Sequence, residues 1–196
     1  MIGKLIVTCM DGALAWIRDP KRRSRTYASD VVDEVLKSSL SNLDYINSLL
    51  DMQTGKGGIW KYWDRKCERH IIEHNQSDNG LLCVGKSAGA KDTVRILWKL
   101  KDQLNYRKIA LVTIDPHWIG RFGRGLEIPQ FNPLRFHAWN VYQVSQSIMN
   151  GTVLTCGRSD AEIKNVHSPS TDHFSITDSG LSRVNLKQAI KYLIGE

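Results

Sequence analysis

Residues 81–90 read LLCVGKSAGA, and the rest of the chain is arranged around this segment. Its four apolar residues, Leu81–Val84, predict a short buried strand. A Gly-x-Ser-x-Gly turn, Gly85–Gly89, interrupts the strand, and the helical pattern of residues 88–104 begins at once. A strand that turns directly into a helix favours glycine on both sides of the turn, because a Cβ there would clash with neighbouring backbone. The segment therefore predicts a strand–turn–helix corner with Ser87 at its tip.

This corner has the pattern of a nucleophile elbow, in which a serine on a strained turn holds its hydroxyl above the edge of a sheet. The N-terminus of the following helix offers unpaired backbone N–H groups and the positive end of the helix dipole. Both features stabilise an oxyanion that develops beside the serine. We therefore predict that Ser87 is a nucleophile and that the N–H of Ala88 is one donor of an oxyanion hole.

The same segment also matches a phosphate-binding pattern, since Gly80–Ser87 spells Gly-x-x-x-x-Gly-Lys-Ser. A P-loop requires a strand before its first glycine and a loop between its two glycines. Here the preceding residues 73–79 read EHNQSDN, and the four intervening residues are the apolar Leu81–Val84. The elbow is therefore favoured, and a nucleotide-binding protein that uses Lys86 and Ser87 is the alternative.

The length and composition predict a single domain over residues 1–196. The chain is 41% hydrophobic and 24% charged, which is typical of one globular domain of this length. Part of its net charge of +7 lies in one run, Lys21, Arg22, Arg23 and Arg25, which is a candidate contact with an anionic membrane surface. No RNA-binding signature accompanies this run, so nucleic acid is not an expected partner. The composition leaves the oligomeric state open.

The sequence predicts neither a metal nor an organic cofactor. The four cysteines are widely spaced, with no zinc-type pattern, and reduced thiols are the default expectation. His70 and His74 have helical spacing but lack a third ligand, so a surface pair is expected. The N-terminal apolar run is too short for the core of a signal peptide, and no stretch is long enough to span a membrane. A cytoplasmic location is the default expectation, and a viral origin is left open.

Strand patterns alternate with helical patterns along the chain. We predict strands at 4–9, 81–84, 108–114 and 153–156, helices at 29–50, 59–75, 88–104 and 186–194, and loops at 54–58, 120–133 and 165–174. Residues 136–149 are ambiguous between helix and extended chain. The alternation indicates a three-layer α/β/α sandwich with a mostly parallel central sheet.

A serine nucleophile needs a base and a group that orients the base. Asp115 directly follows the strand 108–114, and functional groups of α/β proteins gather where parallel strands end. The late polar loop then supplies two histidines, His167 and His173. Asp172 is a poorer acid for its neighbour His173, because adjacent residues of an extended chain point in opposite directions. The order serine, acid, histidine is that of an α/β-hydrolase triad.

The second oxyanion donor is expected in the segment after the first strand. This segment, Met10-Asp11-Gly12-Ala13, ends at the same edge of the predicted sheet as the elbow. Ala13 is the expected donor, with Gly12 and Met10 as alternatives.

Four segments resemble those of small α/β-hydrolase-fold lipases and esterases, namely Gly85–Ala90, Val112–His117, Asn140–Gln143 and Asp172–Ile176 with the following Asp178-Ser179. The resemblance implies a compact α/β-hydrolase fold, with Asp115 as the triad acid and His173 as the base. The chain differs from the family at Lys86, where histidine is more usual, and in its Met10–Ala13 segment, where a His-Gly or Arg-Gly-aromatic pattern is more usual.

These observations lead to one functional hypothesis and two alternatives. The hypothesis is a serine hydrolase that cleaves small-molecule or lipid carboxylic esters through an acyl-serine intermediate on Ser87, with thioesters and amides as less favoured substrates. The alternatives are the P-loop-like nucleotide-binding protein and a non-catalytic binding protein that keeps the hydrolase fold.

Overall fold

The computed structural model describes residues 2–12, 28–39, 50–56, 61–116, 125–132, 134–144, 151–157, 162–173 and 175–195. The elements in these residues are, in chain order, β1 (Leu5–Asp11), α1 (Ala28–Ser39), β2 (Leu50–Lys56), α2 (Lys61–Glu73), β3 (Gly80–Lys86), α3 (Ala88–Leu100), β4 (Lys108–Ile114), β5 (Leu126–Glu127), β6 (Phe136–Tyr142), β7 (Leu154–Thr155), β8 (Glu162–His167), a 3-10 turn (Ile176–Asp178) and α4 (Gly180–Ile194).

Six strands form one sheet in the order β2-β1-β3-β4-β6-β8, and every neighbouring pair is parallel. The strand order reverses at β1, because β2 lies on one side of it and β3 on the other. In doubly wound sheets, ligands bind outside the carboxyl ends of the strands at such a reversal. The two short strands β5 and β7 form a separate parallel pair.

Helices cover both faces of the large sheet. Successive residues of a strand point to opposite faces, so Leu5 and Val7 pack with α1 and α4, whereas Ile6 packs with α2 and α3. Strands covered on both faces are apolar along their whole length. This explains why the inner strands β1, β3 and β4 contain uninterrupted apolar runs. The predicted three-layer α/β/α sandwich is confirmed, and it is consistent with the α/β-hydrolase fold.

Some predicted elements need correction, because β2, β5 and β8 lie in segments where a loop or the end of a helix was expected. Residues 162–167 form β8 where a polar loop was expected from residue 165, and residues 50–56 form β2 where the end of a helix and a loop were expected. The ambiguous segment 136–149 contributes β6, and residues 153–156 contribute only β7 of the small sheet. The strands β2 and β8 are the edges of the sheet, with the sequences LDMQTGK and EIKNVH, so neither has the apolar run that marks an inner strand.

The helices agree with prediction except at their ends. The helix α4 begins at Gly180, earlier than the predicted residue 186, because the hydroxyl of Ser179 accepts a hydrogen bond from the N–H of Ser182 and caps the helix. It ends at Gly195, which has the left-handed φ of 88° that favours glycine.

No helix in the described part of the chain is both long and apolar enough to cross a membrane. The basic run Lys21–Arg25 lies outside the described residues, so its contact with a membrane surface stays a prediction.

Candidate active site

Ser87 lies between β3 and α3 in a strained backbone conformation. Its φ of 54° and ψ of −126° are outside the regions that residues other than glycine normally occupy. Two hydrogen bonds hold the corner: Ser87 N donates to the carbonyl oxygen of Ile114 at 3.0 Å, and Ala90 N donates to the carbonyl oxygen of Ser87 at 3.1 Å. The corner therefore has the backbone conformation of a nucleophile elbow.

The two glycines of the corner allow α3 to approach the sheet closely. A Cβ on Gly85 would lie 2.4 Å from the Cα of Ala90, and a Cβ on Gly89 would lie 2.1 Å from the carbonyl oxygen of Met10. Both contacts are with backbone, which cannot rotate away as a side chain can. The glycines are therefore required at these positions, for the reason the sequence indicated.

The segment after β1 passes directly beside the serine. A Cβ on Gly12 would lie 3.1 Å from the Cβ of Ser87 and 3.5 Å from its Oγ. Ala13, the expected second oxyanion donor, lies outside the described residues. Gly12, one of its two alternatives, is the last described residue of this segment, and it lies beside the serine.

Asp115 occupies the position after β4 that corresponds to Ser87 after β3, because Lys86 and Ile114 are partners in the sheet. Its φ of 48° is left-handed, a conformation that aspartate tolerates better than most residues. Its N–H donates to the carbonyl oxygen of Val141 at 2.6 Å, and the residue is fully buried. A buried carboxylate thus lies one strand away from the serine.

His173 is bonded to this carboxylate. Its Nδ1 lies 2.6 Å from Asp115 Oδ2, and since a carboxylate only accepts, the ring nitrogen donates. The carboxylate of the adjacent Asp172 points elsewhere: its Oδ1 accepts from the N–H of Ser175 at 2.8 Å and from the Ser175 hydroxyl at 2.9 Å. His167, the other histidine considered, is exposed, and its ring lies 5.4 Å from that of Tyr142. The structure therefore brings Asp115 together with His173.

Gln143 is a buried neighbour of Asp115 to which the sequence analysis gave no role. Its backbone N–H lies 3.2 Å from Asp115 Oδ1, and its side-chain Nε2 lies 3.1 Å from Asp115 Oδ2. The residue follows β6 directly, as Asp115 follows β4. A polar residue immediately after an apolar strand was the available signal for it.

Asp11, at the end of β1, is a second polar residue that was missed. Its Oδ1 accepts from the N–H of Ala28 at 2.6 Å and its Oδ2 accepts from the hydroxyl of Ser29 at 2.9 Å. The carboxylate therefore joins the end of β1 to the N-terminus of α1. Burial raises the pKa of the Asp11 carboxyl, although these hydrogen bonds and the nearby charge of Lys86 oppose the shift.

The P-loop alternative is not favoured by the structure. All residues from Gly80 to Lys86 belong to β3 and pair with β1 or β4. The four residues between the two P-loop glycines are fully buried strand, so they form no loop that could surround a phosphate.

Two of the cysteines, Cys67 and Cys83, have buried thiols. Burial raises the pKa of both Cys67 and Cys83 to about 12, which keeps these thiols protonated at neutral pH. Within the ranges that the structure describes, no group of three or more His, Cys, Asp or Glu side chains could hold a metal ion. The His70 and His74 rings lie 4.6 Å apart, and His74 Nδ1 is 2.9 Å from the carbonyl oxygen of His70.

Comparisons with known proteins add one structural likeness. No family model matches the chain, and no curated protein matches it. Among solved structures, the chain is similar to a novel cutinase-like protein from Cryptococcus sp., with 13% sequence identity and a TM-score of 0.43. The likeness covers 98% of this chain and 94% of the other. A likeness of this degree leaves the function to be argued from Ser87, Asp115, His173 and the residues around them.

Proposed function

We propose that the protein is a serine hydrolase that cleaves carboxylic esters through an acyl-serine intermediate. The supporting observation is a pair of features at one sheet edge: Ser87 in a strained strand-to-helix turn, and the buried hydrogen bond of 2.6 Å between His173 and Asp115. The turn at Ser87 costs backbone strain, and the buried pair costs desolvation of its charged group. Neither feature therefore has an evident structural advantage for a folded protein. Costs of this kind cluster where a nucleophile, a base and an orienting acid work together.

In the first step, Ser87 Oγ attacks the ester carbonyl carbon while His173 Nε2 takes the hydroxyl proton. Asp115 accepts the hydrogen bond from Nδ1–H, which leaves Nε2 as the basic nitrogen and stabilises the imidazolium that forms. The resulting oxyanion is bound by the N–H of Ala88 and by a second N–H from the segment after β1, Ala13 or Gly12.

In the second step, the tetrahedral intermediate collapses and the alcohol leaves with the proton from His173. Water then attacks the acyl-serine by the same route and releases the acid, with Ser87 regenerated. His173 carries each proton: the proton of Ser87 goes to the leaving alcohol, and a proton of the attacking water goes to Ser87 Oγ. The proposed substrates are small-molecule or lipid esters.

Covalent labelling tests this proposal directly. A small fluorophosphonate is expected to add once to the wild type, as measured by intact-protein mass. The adduct should be absent in Ser87→Ala and slow to form in His173→Ala. Ser77→Ala, which changes an exposed serine between α2 and β3, is the matched control and should label at the wild-type rate. A folded wild type that stays unlabelled would refute the hydrolase and favour the non-catalytic protein.

A further inference from the structure

We propose that Gln143 is a positioning residue that fixes the carboxylate of Asp115 for His173. This inference rests on the proposed hydrolase function, because it assigns Gln143 a part in that same site. Gln143 is 1% exposed, and it donates to both oxygens of Asp115, from its backbone to Oδ1 and from its side chain to Oδ2.

The first argument is the count of donors around a carboxylate that has no access to solvent. A buried carboxylate needs hydrogen-bond donors in place of water. The carboxylate of Asp115 accepts from three donors in the described residues, at 3.2, 3.1 and 2.6 Å; two belong to Gln143 and the third is His173. The side-chain amide of Gln143 and the ring of His173 share Oδ2, so the amide determines which lone pair of that oxygen faces the ring.

The second argument is that Gln143 is itself held in place. Its backbone carbonyl oxygen accepts from the N–H of Gly151 at 2.9 Å. The next residue of that segment is also held, because Thr152 N donates to the carbonyl oxygen of Pro116 at 3.0 Å. A Cβ on Gly151 would lie 1.9 Å from Asp115 Oδ1, so this segment packs directly on the carboxylate. The backbone of Gln143 is therefore held at both its N–H, which donates to Asp115 Oδ1, and its carbonyl oxygen, which is what a positioning group requires.

The consequence is a role in the chemical step and not in substrate binding. If the carboxylate rotates, the Nδ1–H bond weakens and the imidazole can shift to the tautomer that carries its proton on Nε2. That tautomer cannot take the proton of Ser87. Gln143 acts on this proton transfer through its bonds to Asp115, so its loss should slow acylation and leave inhibitor binding unchanged.

The test compares Gln143→Met, Gln143→Ala and the control Gln103→Met. Methionine keeps the length and most of the volume of glutamine but has no N–H donor, whereas alanine also removes the packing. Gln103 is exposed in the turn after α3, before β4 begins, whereas Asp115 follows the other end of β4; Gln103 makes its hydrogen bonds through its backbone. The maximal rate of fluorophosphonate labelling, kinact, and the inhibitor constant, KI, are measured for each protein.

We expect Gln143→Met and Gln143→Ala to lose roughly 10- to 100-fold in kinact at unchanged KI, as for a lost hydrogen bond to a charged group. Gln103→Met should match the wild type. A Gln143→Met protein that labels at the wild-type rate, or one that loses affinity in KI while kinact stays constant, would overturn the inference. If Gln143→Met does not fold, Gln143→Asn tests the same point, because its amide is too short to reach Oδ2.

A spectroscopic measurement separates failure of this inference from failure of the proposed function. In 15N-labelled protein, the His173 ring N–H gives a proton resonance that is assigned by its loss in His173→Ala. The resonance should shift in Gln143→Met and not in Gln103→Met. If the fluorophosphonate does not react with the wild type but this shift occurs, the hydrolase is refuted and the positioning contact stands. If the fluorophosphonate reacts with the wild type but neither kinact nor the resonance changes in Gln143→Met, the contact is refuted and the hydrolase stands.

Discussion

Gly89→Ala should damage the site without touching any of its polar side chains. The added Cβ would lie 2.1 Å from the carbonyl oxygen of Met10 and 2.6 Å from that of Asp11. Ordinary contact begins at 3.4 Å, so the first turn of α3 must move away from β1 by up to about 1.3 Å, the difference between 3.4 and 2.1 Å. Because both obstacles are backbone carbonyls, no side-chain rotation relieves the clash.

Two magnitudes follow from this displacement. Forcing an extra carbon into packed structure costs about 1–3 kcal/mol in the free energy of unfolding, which is about 2–10 °C in Tm for a chain of this size. A displacement of about 1 Å at a reacting centre costs about 100-fold in rate, and here it separates Ala88 N–H and Ser87 from Gly12. Labelling should therefore slow by about 100-fold in a protein that is still folded.

The assay is urea unfolding together with the rate of fluorophosphonate labelling. Gly180→Ala is the matched control, because a Cβ on Gly180 meets nothing within 4 Å and the residue begins the helix α4. It should label normally and be unchanged or up to about 1 kcal/mol more stable. If Gly89→Ala matches Gly180→Ala in both stability and labelling rate, α3 does not approach β1 as described.

Three other changes test separate parts of the structure. Asp115→Asn should keep the fold and label about 10³- to 10⁴-fold more slowly, since an amide cannot hold His173 in the required tautomer; labelling at the wild-type rate would contradict the acid role. Asp11→Asn tests a pH dependence. Because burial raises the pKa of Asp11 above its usual 3.8, the unfolded chain loses this proton first, and the stabilising contribution of Asp11 falls as the pH rises from 3.8 through the folded pKa. Urea unfolding should therefore show that the stability of the wild type relative to Asp11→Asn decreases over that interval. An increase would contradict the raised pKa of Asp11. Ser179→Ala should cost about 1 kcal/mol in unfolding free energy through loss of the cap to Ser182, and an unchanged value would show that the cap contributes nothing.

The corner at Ser87 could be predicted because its signal is local. An apolar strand, two glycines and a helical pattern lie within ten consecutive residues, 81–90. The inner strands β1, β3 and β4 were recognisable for a related reason, since burial on both faces demands an apolar run. The edge strand β8 does not need an apolar run, and its residues Lys164 and Asn165 are exposed. Its polar sequence therefore looked like a loop.

The contacts around Asp115 are less accessible to sequence reasoning. The pairing with His173 spans 58 positions, and that with Gln143 spans 28. The first was expected only because the order of the three triad residues and the family resemblance supplied it. The second depends on the register that places Ile114 opposite Val141, and register is set by the whole sheet and not by either segment.

The hydrogen bonds from Ser87 N to Ile114 and from Asp115 N to Val141 extend the ladder of the sheet one step beyond β3 and β4. Adjacent strands of a sheet lie about 4.8 Å apart, so this interval fixes the backbone distance between the serine and the acid. This distance does not depend on the lengths of the helices and connections between the strands. An insertion among the turn residues 101–103 should therefore leave the site unchanged. One extra residue inside β4 would instead move Asp115 about 3.3 Å along the strand and turn its side chain to the other face.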